Sequence, residues 1–152
     1  MRYLIRITPA TLLALVFVLL CAQPGFAQQT QPAPQRLSDH DIEALMKNLK
    51  QDAGKFQSSF NSSVSKSAVR KTDQEKIYKD LVKSFVAQCD TMLSVFQSKH
   101  TADTTLPGVL ATGHQVDNIF IDYQLTGNAR PNWNNCKAIL IKLAGQFNIP
   151  IS

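Results

Sequence analysis

Apolar residues recur at three- and four-residue steps in four separate stretches of this chain, and no stretch alternates apolar with polar residues long enough to form a strand. That step is the repeat an α-helix needs to gather its apolar side chains on one face. The first stripe comprises Ile42, Leu45, Met46, Leu49, Ala53, Phe56 and Phe60. Ser38 is placed to cap it, with Asp41 three residues on. Leu37 before the cap can pack on Ile42, and Asp39, Asp41 and Glu43 suit the positive end of the helix dipole. This predicts a helix over 38–60, weakened slightly by Gly54 and ended by a loop in the Ser-rich stretch Ser58 to Ser67.

Thr72, with Glu75 three residues later, opens a second and longer helix over 73–99, carrying Ile77, Leu81, Phe85, Cys89, Met92 and Phe96. Pro107 is tolerated in a first helical turn, where no intrahelical bond to its nitrogen is required. Val109, Leu110, Val116, Ile119, Phe120 and Tyr123 then carry a third helix over 107–124. Within it, Gly113 either loosens the helix or admits a close neighbour. After a tight connector at 125–128, Trp133, Cys136, Leu140, Leu143 and Phe147 define a fourth helix over 129–148, stopping before Pro150. Burying a Leu or Phe side chain contributes about 1.5–3 kcal/mol, so four such stripes cannot stay exposed singly. The expected fold is all-α, a four-helix bundle with a single domain over 37–152, in which the short connectors make sequential neighbours antiparallel.

The segment 1–27 reads as a cleaved signal peptide. Arg2 and Arg6 supply the positive start, Ala10 to Ala22 is apolar apart from Thr11, and Pro24-Gly25-Phe26-Ala27 offers small residues before a cleavage point. The apolar run of about 13 residues falls short of the roughly 20 that span a bilayer, which argues against an uncleaved anchor. Leu19-Leu20 before Cys21 argues against a lipoprotein site. Residues 28–36 (QQTQPAPQR), polar and with two prolines, read as a disordered linker. The expected location is the bacterial periplasm or beyond, with no transmembrane domain after cleavage.

Loss of Arg2 and Arg6 lowers the formal net charge from +5 to about +3. The lysines are spread over the helices and no aromatic residues interleave with a basic run, so nucleic-acid binding is not expected. Cys89 and Cys136 remain after processing, an even number in an oxidising compartment, which favours a Cys89–Cys136 disulfide. The alternative is two buried thiols acting as small hydrophobes, and a mid-helix Cys89 facing a Cys136 near its helix start strains the bridged reading. His114 and Asp117, one helical turn apart, make half of a metal site, and Asp122 lies too far round the helix to complete it. His114, His100 beside Asp103, and His40 therefore read as solvated or ion-paired histidines, and no metal or cofactor is expected. Glu43 and Glu75 are the only glutamates, too few for a di-iron bundle, and no nucleophile elbow or phosphate-binding glycine loop occurs. Trp133 could stack on a ligand, but it heads an amphipathic stripe and reads first as core.

Over 116–148 the chain resembles an uncharacterised family of small secreted bacterial helical-bundle proteins. Val116-Asp117 with Phe120 match its third-helix motif, as do Leu125, Ala129 and Trp133 around the following turn. Leu143, Ala144, Phe147 and Asn148 match its final segment. The resemblance implies an exported helical bundle and supplies no activity. The chain departs from that family's Arg- and Asp-rich exterior. The expected function is a non-enzymatic exported domain that binds a protein or an envelope component. Alternatives are a small-ligand or metal carrier with Trp133, Tyr123 and His114 near one end of the bundle, and a periplasmic stress chaperone.

Overall fold

The computed structural model describes residues 36–151 apart from 124 and 126. The expected leader (1–27) and all but the last residue of the expected linker (28–36) lie outside the described residues. The remainder holds four helices, α1 Asp39–Val64, α2 Asp73–Lys99, α3 Leu106–Asp122 and α4 Ala129–Gln146, with no strand among the described residues. No described helix is long and apolar enough to cross a membrane.

The start of α1 follows its sequence signals. The Ser38 hydroxyl accepts from the Asp41 amide at 3.2 Å and donates to the Asp41 carboxylate at 2.6 Å. The far end does not follow them, because α1 continues through the serines to Val64. Ser58 and Ser59 turn their hydroxyls back onto the carbonyls of Gly54 and Phe56, at 3.1 and 2.9 Å, so they satisfy themselves inside the helix. Phe60 and Val64, four residues apart, extend the apolar stripe into the core. The loop is confined to the residues after Val64.

Glu75 also departs from a simple capping box. Its carboxylate accepts from the Lys71 amide at 2.6 Å, the Lys79 ammonium at 2.6 Å and the Ser65 hydroxyl at 2.9 Å. Thr72 instead donates its hydroxyl to the Val69 carbonyl at 2.6 Å. The Lys79 bond first, then those from Lys71 and Ser65, hold the Glu75 carboxyl down at about 2. The carboxylate ties the α1–α2 connector to the first turn of α2.

The helices run up and down in turn. Lys50 pairs with Asp90, and Gln97 donates to Glu43 at 2.8 Å, so α1 and α2 are antiparallel. Thr112 donates to Gln88 at 2.9 Å, and the rings of Tyr78 and Tyr123 meet at 5.5 Å, which sets α3 against α2. Asn132 donates to Ser59 at 2.9 Å, and the Leu37 amide donates to Gln146 at 2.7 Å, which sets α4 along α1. The resulting ring is closed thickly at α1–α4, α1–α2 and α2–α3, and thinly at α3–α4.

Every helix contributes an aromatic ring to the centre. Phe56 of α1 lies 6.5 Å from Phe85 of α2, 6.2 Å from Phe120 of α3 and 5.1 Å from Trp133 of α4, measured between ring centres. Trp133 and Phe85 meet edge to face at 5.2 Å across the diagonal of the bundle. Such ring pairs add to area burial and are directional, so they fix the mutual rotation of the helices as well as their separation.

Cys89 and Cys136, the pair for which a bridge is expected, stand in the structure as two free, buried thiols on α2 and α4. Burial pushes both thiols up, Cys136 to about 12, so each is held as a neutral, poorly nucleophilic group.

Candidate functional site

The α3–α4 seam is the thinnest side of the ring, and residues 149–151 after α4 line it as a third wall. Three features build it. Arg130, at the start of α4, donates to the Phe120 carbonyl at 2.7 Å and lays its guanidinium over the Phe120 ring, 4.9 Å from its centre. This clamps the last turn of α3, whose free carbonyls favour a cation. Gly127, at φ 77°, turns the connector between the two helices in a conformation that costs a glycine little.

At the other end of α4, Asn148 takes the left-handed conformation, φ 52°, and the Ile149 amide bonds the Ala144 carbonyl at 3.0 Å. That is the pattern of a Schellman-type helix stop, for which asparagine is the usual substitute for glycine. It turns Ile149, Pro150 and Ile151 back toward α3.

Between α3, α4 and this returning tail lies a cleft of about 520 Å³. Pro107, Leu110, Leu140, Ile141, Ile149, Pro150 and Ile151 make most of its lining, and Ala111 and Gly113 lower the α3 wall. Ile141 and Ile151 are each 55% exposed, so the apolar lining reaches the surface. Ile121 is 79% exposed and lies on α3 one helical turn beyond Asp117.

Among the described residues three polar side chains line the cleft: His114, Asp117 and Lys137. Asp117 accepts from the Trp133 indole nitrogen at 2.8 Å and from the Lys137 ammonium at 3.0 Å, both at the same oxygen, Oδ1. The first bond satisfies the polar edge of an otherwise buried tryptophan. The second cancels the charge of the carboxylate.

Trp133 thus belongs to two places. Its ring packs on Phe56 and Phe85 inside the bundle, while its outer edge forms part of the cleft wall. Gly113 is where α3 meets that edge: a methyl group there would lie 3.3 Å from Trp133 Cη2 and 3.6 Å from Leu140 Cδ1. The glycine admits a close neighbour, the second of the two roles its sequence context left open.

The residues singled out from sequence are redistributed. His114 and Asp117 share the cleft as their spacing allows, but Asp117 serves Trp133 and Lys137. Among the described residues no group of three or more His, Cys, Asp or Glu could hold a metal ion. Tyr123 sits with Tyr78 at the α2–α3 contact and does not line the cleft with Trp133 and His114. His100 faces Asp39 at 3.3 Å, and His40 lies 3.8 Å from Asp41.

Lys137 and the tail 149–151 are the site residues that the sequence reading misses. A usable signal was present in the repetition of Trp133, Lys137 and Ile141 at four-residue steps, a second face of α4 beside its core stripe. Compared with protein-family models, curated proteins and solved structures, the chain finds no match in any of the three.

Proposed function

We propose that this chain is a non-enzymatic binding protein of the bacterial envelope, and that it takes up a small apolar molecule in the α3–α4 cleft. The observation that carries this reading is the cleft itself. Its volume of about 520 Å³ lies within the range of small-molecule sites, its lining is mostly apolar, and it is bounded by an aromatic edge with a few convergent polar groups. The bundle interior is filled by packed rings, so a ligand is accommodated beside the core and not within it.

Asp117 is engaged with both Lys137 and Trp133, an arrangement suited to holding a molecule more than to attacking one. The leader-like segment 1–27 and the resemblance over 116–148 support export. On that reading the ligand is a small molecule of the envelope.

Trp133 is the only tryptophan in the chain, so tryptophan emission arises from the one ring whose outer edge borders the cleft. Titration with N-phenyl-1-naphthylamine, a neutral apolar fluorophore, is expected to quench Trp133 saturably at one site per chain. Ala111→Phe places a ring from the exposed wall of α3 into the cleft and is expected to abolish that quenching without altering the circular dichroism. Non-saturable quenching, or the same affinity in Ala111→Phe, would remove the cleft as the binding site.

A further inference from the structure

We infer that the ligand is a single-chain amphiphile with an uncharged, hydroxyl-bearing head, its chain lying along α3 and its head resting on the Asp117–Lys137 pair. The inference rests on the reading of the cleft as a ligand site and narrows it to a chemical class.

Shape comes first. Pro107, Leu110, Asp117 and the intervening His114 lie along one side of α3, so the cleft follows the helix for about 15 Å between Pro107 and Asp117 at 1.5 Å per residue. Its two ends differ. Pro107 and the returning tail, Ile149 to Ile151, offer apolar side chains, whereas Asp117 and Lys137 stand toward the opposite end. An apolar trough about 15 Å long with an ion pair toward one end fits an alkyl chain with a head group better than a compact polar solute.

Charge then selects the head. Asp117 and Lys137 are 3.0 Å apart and cancel. Among the described residues His114 is the one other titratable side chain in the lining, and α4 contributes no acidic residue anywhere along its length. A carboxylate head brought to Lys137 is also brought to Asp117, and an ammonium head brought to Asp117 is also brought to Lys137. Either gains one attraction and suffers one repulsion of similar size at nearly the same distance.

A hydroxyl escapes this conflict, because it both donates and accepts. Asp117 receives both of its bonds at Oδ1, which leaves Oδ2 to accept a hydroxyl proton, and the Lys137 ammonium keeps two N–H groups after its bond to Asp117. The carboxylate is already held in place by the buried indole of Trp133, so the head meets a pair fixed beforehand and little ordering is required on binding.

The test compares three probes that share one alkyl length and differ in head charge: 1-dodecanoylglycerol, dodecanoate and dodecyltrimethylammonium. Each is titrated below its aggregation threshold at pH 8 and followed by Trp133 emission. The neutral ester is expected to bind about tenfold more tightly than either charged probe. Asp117→Asn keeps an acceptor for the Trp133 indole but leaves Lys137 uncompensated, and should shift preference to dodecanoate. Lys137→Met leaves Asp117 uncompensated and should shift it to dodecyltrimethylammonium.

Equal or tighter binding of a charged probe by the unaltered protein overturns the inference while leaving the cleft as a ligand site. So does an unchanged order of preference in both variants. If none of the three probes moves Trp133 emission and N-phenyl-1-naphthylamine also fails, the cleft reading itself is overturned.

Discussion

Two glycines, both inside helices, give a matched experiment on the α3–α4 seam. A methyl group added at Gly54 in α1 meets nothing within 4 Å, while one added at Gly113 in α3 lies 3.3 Å from Trp133 Cη2. In both places alanine is the better helix former, by about 1 kcal/mol, because the glycine backbone has more freedom to lose on folding. At Gly54 nothing opposes that gain, and Gly54→Ala should stabilise the protein by about that amount.

At Gly113 the extra atom needs Trp133 to move by a few tenths of an ångström, and Trp133 is not free to do so. Its indole nitrogen is bonded to Asp117 at 2.8 Å and its ring is wedged between Phe56 at 5.1 Å and Phe85 at 5.2 Å. Overpacking of a well-filled core costs about 1–3 kcal/mol, so Gly113→Ala should be neutral to destabilising by about 2 kcal/mol. The two variants should therefore differ by roughly 1–3 kcal/mol for the same chemical change. Urea unfolding at 25 °C measures both, with an unchanged dependence on denaturant indicating that only stability has shifted. If Gly113→Ala gains as much as Gly54→Ala, Trp133 yields freely and the account of a fixed wedge at this seam is wrong.

Two further outcomes follow from titrating groups. Burial holds the Cys89 and Cys136 thiols neutral well above the ordinary thiol range, Cys136 to about 12, whereas in the unfolded chain both ionise near pH 8.5. The unfolded state then binds fewer protons, so stability should fall as pH rises above that value, by about 1 kcal/mol per pH unit for each thiol. Melting curves between pH 8.5 and 10 check this, and a Cys89→Ala, Cys136→Ala double variant with an equally steep fall would contradict it. Glu75 has the opposite sign: its folded carboxyl titrates at about 2, against an ordinary value of 4.5. Its contribution is complete above pH 4.5 and lost as pH falls toward 2. Glu75→Gln should flatten the acid limb of the stability curve, and an unchanged limb would show that the Lys71, Ser65 and Lys79 contacts do not matter to folding.

The bundle was legible because its information is local. Stripes such as Met46, Leu49, Ala53, Phe56 and Phe60 repeat within a few residues, and each meets a partner stripe whatever the details of packing. The Ser58–Ser67 stretch misled for a physical reason: serine in isolation prefers turns, but here its hydroxyls return to the preceding helical turn while Phe60 and Val64 hold the helix to the core. Part of the site was legible: spacing put His114 and Asp117 on one face, though as half of a metal site, and Trp133 was set near His114 as a ligand contact. The bonds of Trp133 and Lys137 to Asp117 were not, because the two residues lie 16 and 20 positions from it, and the tail reaches the site only through the left-handed turn at Asn148. The pairing is set by tertiary placement, which periodicity does not carry.

The thin α3–α4 side of the ring also decides how the domain loosens. Between α2 on one flank and only the Arg130, Trp133 and Lys137 bonds on the other, α3 is the helix with the fewest close backbone neighbours. Its amide protons should exchange with deuterium sooner than those of the three remaining helices.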